Sequence, residues 1–189
     1  MEHGQERAVT LIRHPETVSD AVRGIRVRIA RTADGILAVH YSLEGALDRL
    51  RVPRPRAPRI AERLWHHTCC EVFVASRGSP GYHEFNFGPS GEWAAYAFAR
   101  YRNGEILADE QLDPGVTVRS AAGGFELDAR VRLSRLSPIY RSASLALAVS
   151  AVVEDDSGNL SYWALGHPSG KPDFHHPDAF TLEFDEIRN

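Results

Sequence analysis

Apolar and polar side chains alternate with a period of two along much of this chain. Ile25, Val27 and Ile29 alternate with Arg26, Arg28 and Ala30. Leu37, Val39, Tyr41 and Leu43 alternate with Ala38, His40 and Ser42. Phe125, Leu127, Ala129, Val131 and Leu133 alternate with Glu126, Asp128, Arg130 and Arg132. Successive side chains of a strand point to opposite faces, so the pattern predicts strands over 22–31, 35–43 and 125–133, each with one face in a core and one in water. Further strand candidates fall at 8–12, 69–75, 82–87, 92–102, 115–120, 144–154, 160–166 and 179–185. Turn residues separate many of them: Ala33-Asp34-Gly35, Gly78-Ser79-Pro80-Gly81, Pro89-Ser90-Gly91, Asn103-Gly104, Ala122-Gly123-Gly124 and Asp156-Ser157-Gly158-Asn159. The segment 44–50 fits a short helical turn, and no long amphipathic helix is visible. Many short strands with regular turns predict an all-β protein, an antiparallel β-sandwich of the jelly-roll or immunoglobulin-like kind.

Length agrees with one such unit. The 189 residues fit a single domain over 1–189. One composition shift interrupts it: 49–63 holds Arg49, Arg51, Arg54, Arg56, Arg59 and Arg63 with Pro53, Pro55 and Pro58 between them. Proline removes ladder donors, so this is an Arg/Pro-rich loop rather than a strand. Residues 1–65 carry 12 basic and 8 acidic side chains, net +4, and residues 66–189 carry 10 and 17, net −7. No aromatics interleave with the loop's arginines, and the whole chain is at −3, so no nucleic-acid partner is expected.

No membrane partner is expected either. The longest strongly apolar uncharged run, Ser142–Val153, is 12 residues, where a spanning helix needs about 20. The N-terminus is charged and polar without an apolar core, which points to the cytoplasm. The two cysteines, Cys69 and Cys70, are adjacent. In a strand they face opposite ways, so they are read as reduced packing residues. Oligomeric state is not legible, and no cofactor is expected.

Four segments concentrate the candidate chemistry. Trp65-His66-His67 precedes an apolar strand bearing Glu71. Tyr82-His83-Glu84-Phe85-Asn86-Phe87-Gly88-Pro89-Ser90-Gly91 carries polar groups within a strand and ends in a turn, with Trp93 after it. Tyr162 and Trp163 sit together near the C-terminal third, and Asp173-Phe174-His175-His176-Pro177 precedes Phe180.

Taken in order, these segments resemble carbohydrate-binding module family 9, within the wider DOMON-like group. The resemblance rests on Leu64-Trp65 with Glu71 six residues on, the Tyr-x-Glu-Phe-x-Phe-x-Pro-x-Gly hairpin from Tyr82 to Gly91, Trp163, and Phe174-His175-His176-Pro177 with Phe180. It covers about 64–184. It implies a DOMON-like β-sandwich that binds a saccharide or another small molecule without catalysis. By motif position, Trp65 and Trp163 would clamp a sugar ring and Glu71 would accept its hydroxyls. Asn86, Glu84 and His175 are weaker additions. The chain departs from the family in having His66 and His67 after the first Trp, where many relatives have acidic residues. That leaves no clear ligand set for the structural calcium of some members.

Blander readings stand beside these. Trp65 and Trp163 are equally readable as core residues. Trp93 shares a face with Ala95, Ala97 and Ala99 and reads as packing. Glu71 among apolar neighbours is also readable as half of an ion pair, and His175-His176-Pro177 as a turn that sets the last strand. Nine histidines, including two adjacent pairs, leave a haem- or metal-binding alternative. The one methionine, Met1, is poorly placed for the Met–His axial pair of cytochrome-type DOMON relatives. Glu71 and Glu84 are in principle an acid–base pair for glycoside hydrolysis, but no catalytic motif accompanies them.

Overall fold

The computed structural model describes residues 4–121 and 123–187. Met1 and the Ala122 position of one predicted turn lie outside it. The described residues form twelve strands: β1 (Gln5–Arg13), β2 (Val22–Arg31), β3 (Ile36–Gly45), β4 (Cys69–Ser76), β5 (Tyr82–Phe87), β6 (Trp93–Arg100), β7 (Asn103–Ile106), β8 (Thr117–Ala121), β9 (Gly124–Arg132), β10 (Leu145–Glu154), β11 (Leu160–Ala164) and β12 (Leu182–Phe184). Every pairing between them is antiparallel. The result is an all-β sandwich.

One sheet runs β1-β2-β3-β9-β8 and the other β7-β6-β5-β4-β10-β11. β1 belongs to both. Its residues Gln5–Leu11 pair with β2, and then Ile12 and Arg13 pair with Ala164 and Trp163 of β11. The second edge of β10 is shared in the same way, Ser150–Glu154 facing β11 and Leu145–Leu147 facing β12.

The alternation read from the sequence is realised in the first sheet. Val27, Ile29, Leu37, Val39, Tyr41, Leu127 and Val131 are buried inward, while Arg26, Arg28 and Arg130 face water. Tyr41 lies wholly inside this layer, and its hydroxyl donates across the sandwich to the Glu71 backbone carbonyl of β4 at 2.5 Å. A buried hydroxyl needs such a partner.

The second sheet is buried on both sides of its middle strands. Cys70, Val72, Val74, Phe85, Phe87, Val149 and Ala151 meet the first sheet. On the other face Phe73, Tyr82 and Ala148 form a smaller apolar cluster, covered by Phe174 and Phe180 of the chain after β11. Cys69 and Cys70 are both buried free thiols.

Three local expectations are revised. The strand read over 92–102 ends at Arg100, and the chain turns at Tyr101-Arg102 with Arg102 in the left-handed region at φ 53°. Asn103-Gly104 instead opens β7. Gly104 is required there by close strand approach, since a Cβ would come within 2.5 Å of the Ala97 carbonyl oxygen. The last strand shortens to three residues because Pro177–Ala179 make a 3₁₀ turn. Two helical turns at Leu133–Leu136 and Pro138–Arg141 bury Leu133 and Tyr140, and nothing in the period-two pattern announces them.

The Arg/Pro-rich segment has no regular structure over 51–59 and is pinned as a strap. Its backbone bonds the 88–93 turn through Arg56 N to Ser90 O at 2.6 Å and Trp93 N to Arg59 O at 3.0 Å. Arg59 Nε donates to Glu92 Oε1 at 2.7 Å, and Arg51 Nη1 to Glu154 Oε1 at 2.7 Å. Among the described residues no helix is long and apolar enough to cross a membrane.

Candidate functional site

The outward face of the second sheet opens into a cleft of about 840 Å³. Strand parity decides what reaches it. On β4 the residues Cys70, Val72 and Val74 go to the core, so Glu71 and Phe73 go out. The pairing Glu71↔Asn86 and Phe73↔Glu84 then puts Asn86 and Glu84 of β5 on that outward face. Ser150 of β10 faces Glu71 from the other side.

These side chains form a largely buried polar floor. Glu71 is 3% exposed, Glu84 5% and Asn86 0%. Ser150 Oγ donates to Glu71 Oε2 at 3.1 Å. Asn86 Nδ2 donates to Glu84 Oε1 at 2.7 Å, and Asn86 Oδ1 receives the Cys69 thiol at 3.6 Å. Burial pushes the Glu71 carboxyl well above the ordinary carboxylate range, and the neighbouring Glu84 charge adds to this against the Ser150 hydrogen bond. Burial likewise raises Glu84, to about 7, while the Asn86 hydrogen bond and the Arg102 charge oppose it.

The walls are aromatic. Trp65 sits in a 3₁₀ turn, Leu64–His66, entered through Arg63 in the left-handed region at φ 59°. It is 36% exposed and meets Tyr96 edge to face at 5.6 Å. Phe98 adds to the lining from β6, and Tyr162 and Phe174 from β11 and the chain that follows it. His175 also lines the cleft. Its Nδ1 lies 2.9 Å from the Tyr82 hydroxyl and its ring packs edge-on against Phe73 and Phe98. Burial, reinforced by the Arg102 charge and opposed by Asp173, lowers His175 to about 4, so it is neutral at pH 7. Arg102 itself is held by Asp173 at 2.7 Å.

Of the residues singled out in the sequence, Trp65, Glu71, Glu84 and His175 line this one cleft. Asn86 lies beneath it as a scaffold for Glu84. Trp163 is corrected. It is 6% exposed and packed in the main core. The reason is parity: Tyr162, opposite Val152, takes the outward position on β11, and its neighbour must then point in. The Trp163 indole donates to Ser161 Oγ at 3.0 Å, which satisfies its one donor inside the core. Trp93 is core as well, 2% exposed.

The histidine pairs divide among different tasks. His66 and His67 line the cleft, and His67 Nδ1 lies 2.7 Å from Glu154 Oε2. His176 Nδ1 accepts from Asp178 N at 3.2 Å and caps the 3₁₀ turn before β12. Among the described residues no three His, Cys, Asp or Glu side chains gather as a metal site.

Sequence reading missed Tyr96, Phe98, Arg102, Tyr162 and Phe174 as lining. Only Tyr162 carried a usable signal, because one of two adjacent aromatics in a strand must face away from the core.

Solved structures share this fold. A Bacteroides uniformis protein described as a candidate carbohydrate-binding protein matches with a TM-score of 0.62, over 94% of this chain and 84% of its own, at 14% identity. A family 9 carbohydrate-binding module from Caldicellulosiruptor kristjanssonii, in complex with glucose, matches with a TM-score of 0.51, over 82% of this chain and 72% of its own, at 13% identity. No protein-family model and no curated protein matches the sequence. At these identities the likeness is one of fold: the chain has a β-sandwich similar to that of carbohydrate-binding proteins.

Proposed function

We propose that the cleft binds a saccharide and that the protein is a non-catalytic binding module. One observation carries this reading: an exposed indole, Trp65, stands beside buried carboxyl acceptors, Glu71 and Glu84, in a single cleft. A sugar ring has apolar C–H faces that lie on an aromatic surface, and hydroxyls that need fixed hydrogen-bonding partners. The aromatic side chains facing the ligand are Trp65 together with Tyr162 and Phe174, in place of a Trp65–Trp163 clamp. Glu71 and Glu84 accept hydroxyls, Asn86 orients Glu84, and His175 offers a neutral ring nitrogen. The glucose complex of the family 9 neighbour and the ordered motifs from Leu64 to Phe180 support this reading. On the ordered motifs alone we read the chain as a remote DOMON-like relative of those modules.

The test is intrinsic tryptophan fluorescence titrated with mono- and oligosaccharides. A saturable change with at least one sugar, absent in Trp65→Ala while that variant keeps its circular dichroism spectrum, is the expected result. A flat titration across the panel overturns the reading.

A further inference from the structure

The floor of the cleft holds two carboxyl groups in direct contact with no Arg or Lys among the described residues, and only the charge of Arg102 acts on Glu84 without a contact. Among the described residues, no Arg or Lys comes within ion-pair distance of Glu71 or Glu84. The one basic nitrogen within that distance of either is His175 Nε2, 3.7 Å from Glu84 Oε2, on a neutral ring. The other basic side chains around the cleft are already committed. Arg102 pairs with Asp173 at 2.7 Å, and Arg51 and His67 both hold Glu154. His66 lies edge-on to Trp65 at 5.8 Å. Cys69, Tyr82 and Tyr96 are all pushed up by burial, Tyr96 to about 12, and stay neutral near pH 7.

A neutral sugar offers these carboxyls hydrogen bonds but no charge. A ligand ammonium supplies both, since a buried carboxylate is stabilised most by a charged donor. The walls favour the same ligand. Trp65, Tyr96, Tyr162 and Phe174 bring aromatic surfaces to the cleft, and the negative face of a ring attracts cations.

We infer that the cleft selects a cationic sugar, an amino sugar whose free ammonium meets Glu71 and Glu84 between the aromatic walls, over the neutral sugar of the same ring. This rests on the saccharide reading above and names its ligand class.

The experiment is isothermal titration calorimetry of the full chain with D-glucosamine, D-glucose and tetramethylammonium, at about pH 6, where an amine is protonated. Glucosamine is expected to bind about tenfold tighter than glucose. Its binding should release up to about one proton, read as a difference in apparent enthalpy between two buffers. In Glu71→Gln/Glu84→Gln the preference should fall to about one and the proton release should vanish. Glu84→Gln alone should show the same direction if the double variant does not fold. Glucose binding as tightly as glucosamine overturns this inference and leaves the saccharide reading in place. Tetramethylammonium binding without either sugar overturns the saccharide reading and, with it, the inference of an amino sugar. No binding by any of the three overturns both.

Discussion

The Trp163 indole nitrogen donates to the hydroxyl of Ser161, two residues earlier on the same strand, at 3.0 Å, and Ser161 Oγ lies 3.4 Å from the Val153 carbonyl as its own donor contact. Both side chains therefore belong to the interior, and β11 presents Tyr162 to the cleft. Trp163→Ala should cost about 3–5 kcal/mol in denaturant unfolding, the usual range for emptying a buried aromatic site. Trp65→Ala removes a half-exposed ring and one edge contact to Tyr96, and should cost about 1 kcal/mol. Comparable losses at the two positions would contradict the assignment of one indole to core and the other to cleft.

The buried carboxyls set a pH dependence. An acid whose folded pKa is raised is protonated in the folded state where the unfolded chain is already ionised. Its contribution is full below the unfolded pKa and is lost as pH rises through the folded value. For Glu84 that window runs from an ordinary value of 4.5 to about 7, and Glu71 acts in the same direction. His175 works oppositely. Its folded pKa of about 4 lies below the ordinary 6.5, so its neutral burial loses stability as pH falls through that interval. Glu71→Gln keeps an acceptor for Ser150 and removes the ionisation. It should raise the melting temperature at pH 8, with the gain shrinking towards about pH 4.5. Thermal unfolding followed at several pH values reads this. A gain of equal size at both ends would mean that ionisation of Glu71 is not the cause.

The strap depends on Glu92. Burial pushes this carboxyl up, but hydrogen bonds from Ser90 and Arg59 and the Arg59 and Arg56 charges outweigh it and hold it below the usual carboxylate range. Glu92→Ala should free the 51–59 segment and speed tryptic cleavage after Arg56 and Arg59 by several-fold, visible by mass spectrometry of timed digests. Cleavage no faster than in the parent chain would mean that the backbone bonds to Ser90 and Trp93 and the Arg51–Glu154 pair hold the strap without Glu92.

Tyr82 joins three elements. Its hydroxyl lies 2.9 Å from His175 Nδ1 and receives the Arg102 backbone N–H at 3.1 Å, while its ring stacks on Phe98 at 4.7 Å. Tyr82→Phe keeps the stack and strands both polar partners, at about 1–3 kcal/mol. Because Phe174 and His175 line the cleft on the same segment, ligand affinity should fall with stability. Chemical unfolding and the fluorescence titration together separate this from a purely structural loss.

Legibility followed exposure. The strand over 22–31 matches β2 residue for residue, because Arg26 and Arg28 mark its wet face. Where both faces are covered the marking disappears. β4 is buried almost throughout, and only its pairing with β5 and β10 says that Glu71 looks out. The same loss of contrast explains Trp163: Ser161–Trp163 and Tyr162 offer an aromatic to either face, and sequence alternation does not choose. Trp65, Glu71, Glu84 and His175, which lie within the ordered motifs, line one cleft. Arg102 lies outside those motifs, and its place in the cleft depends on a hairpin that turns at Tyr101-Arg102 rather than two residues later.

The strand β1, shared between the sheets, has a consequence for association between copies. An open sheet edge is a template for another chain's backbone. By pairing with β2 along most of its length and with β11 at its end, β1 covers one side of the sandwich. Beside β12, the Gln5 side-chain amide donates to the Asp185 carbonyl at 3.0 Å and accepts its N–H at 2.8 Å, so a side chain stands in for a further strand. The outermost strands that remain, β7 and β8, are four and five residues long and carry Glu105 and Arg119. Edges this short and charged give a second copy little backbone on which to extend the sheet, so the fold resists edge-to-edge aggregation despite its high strand content.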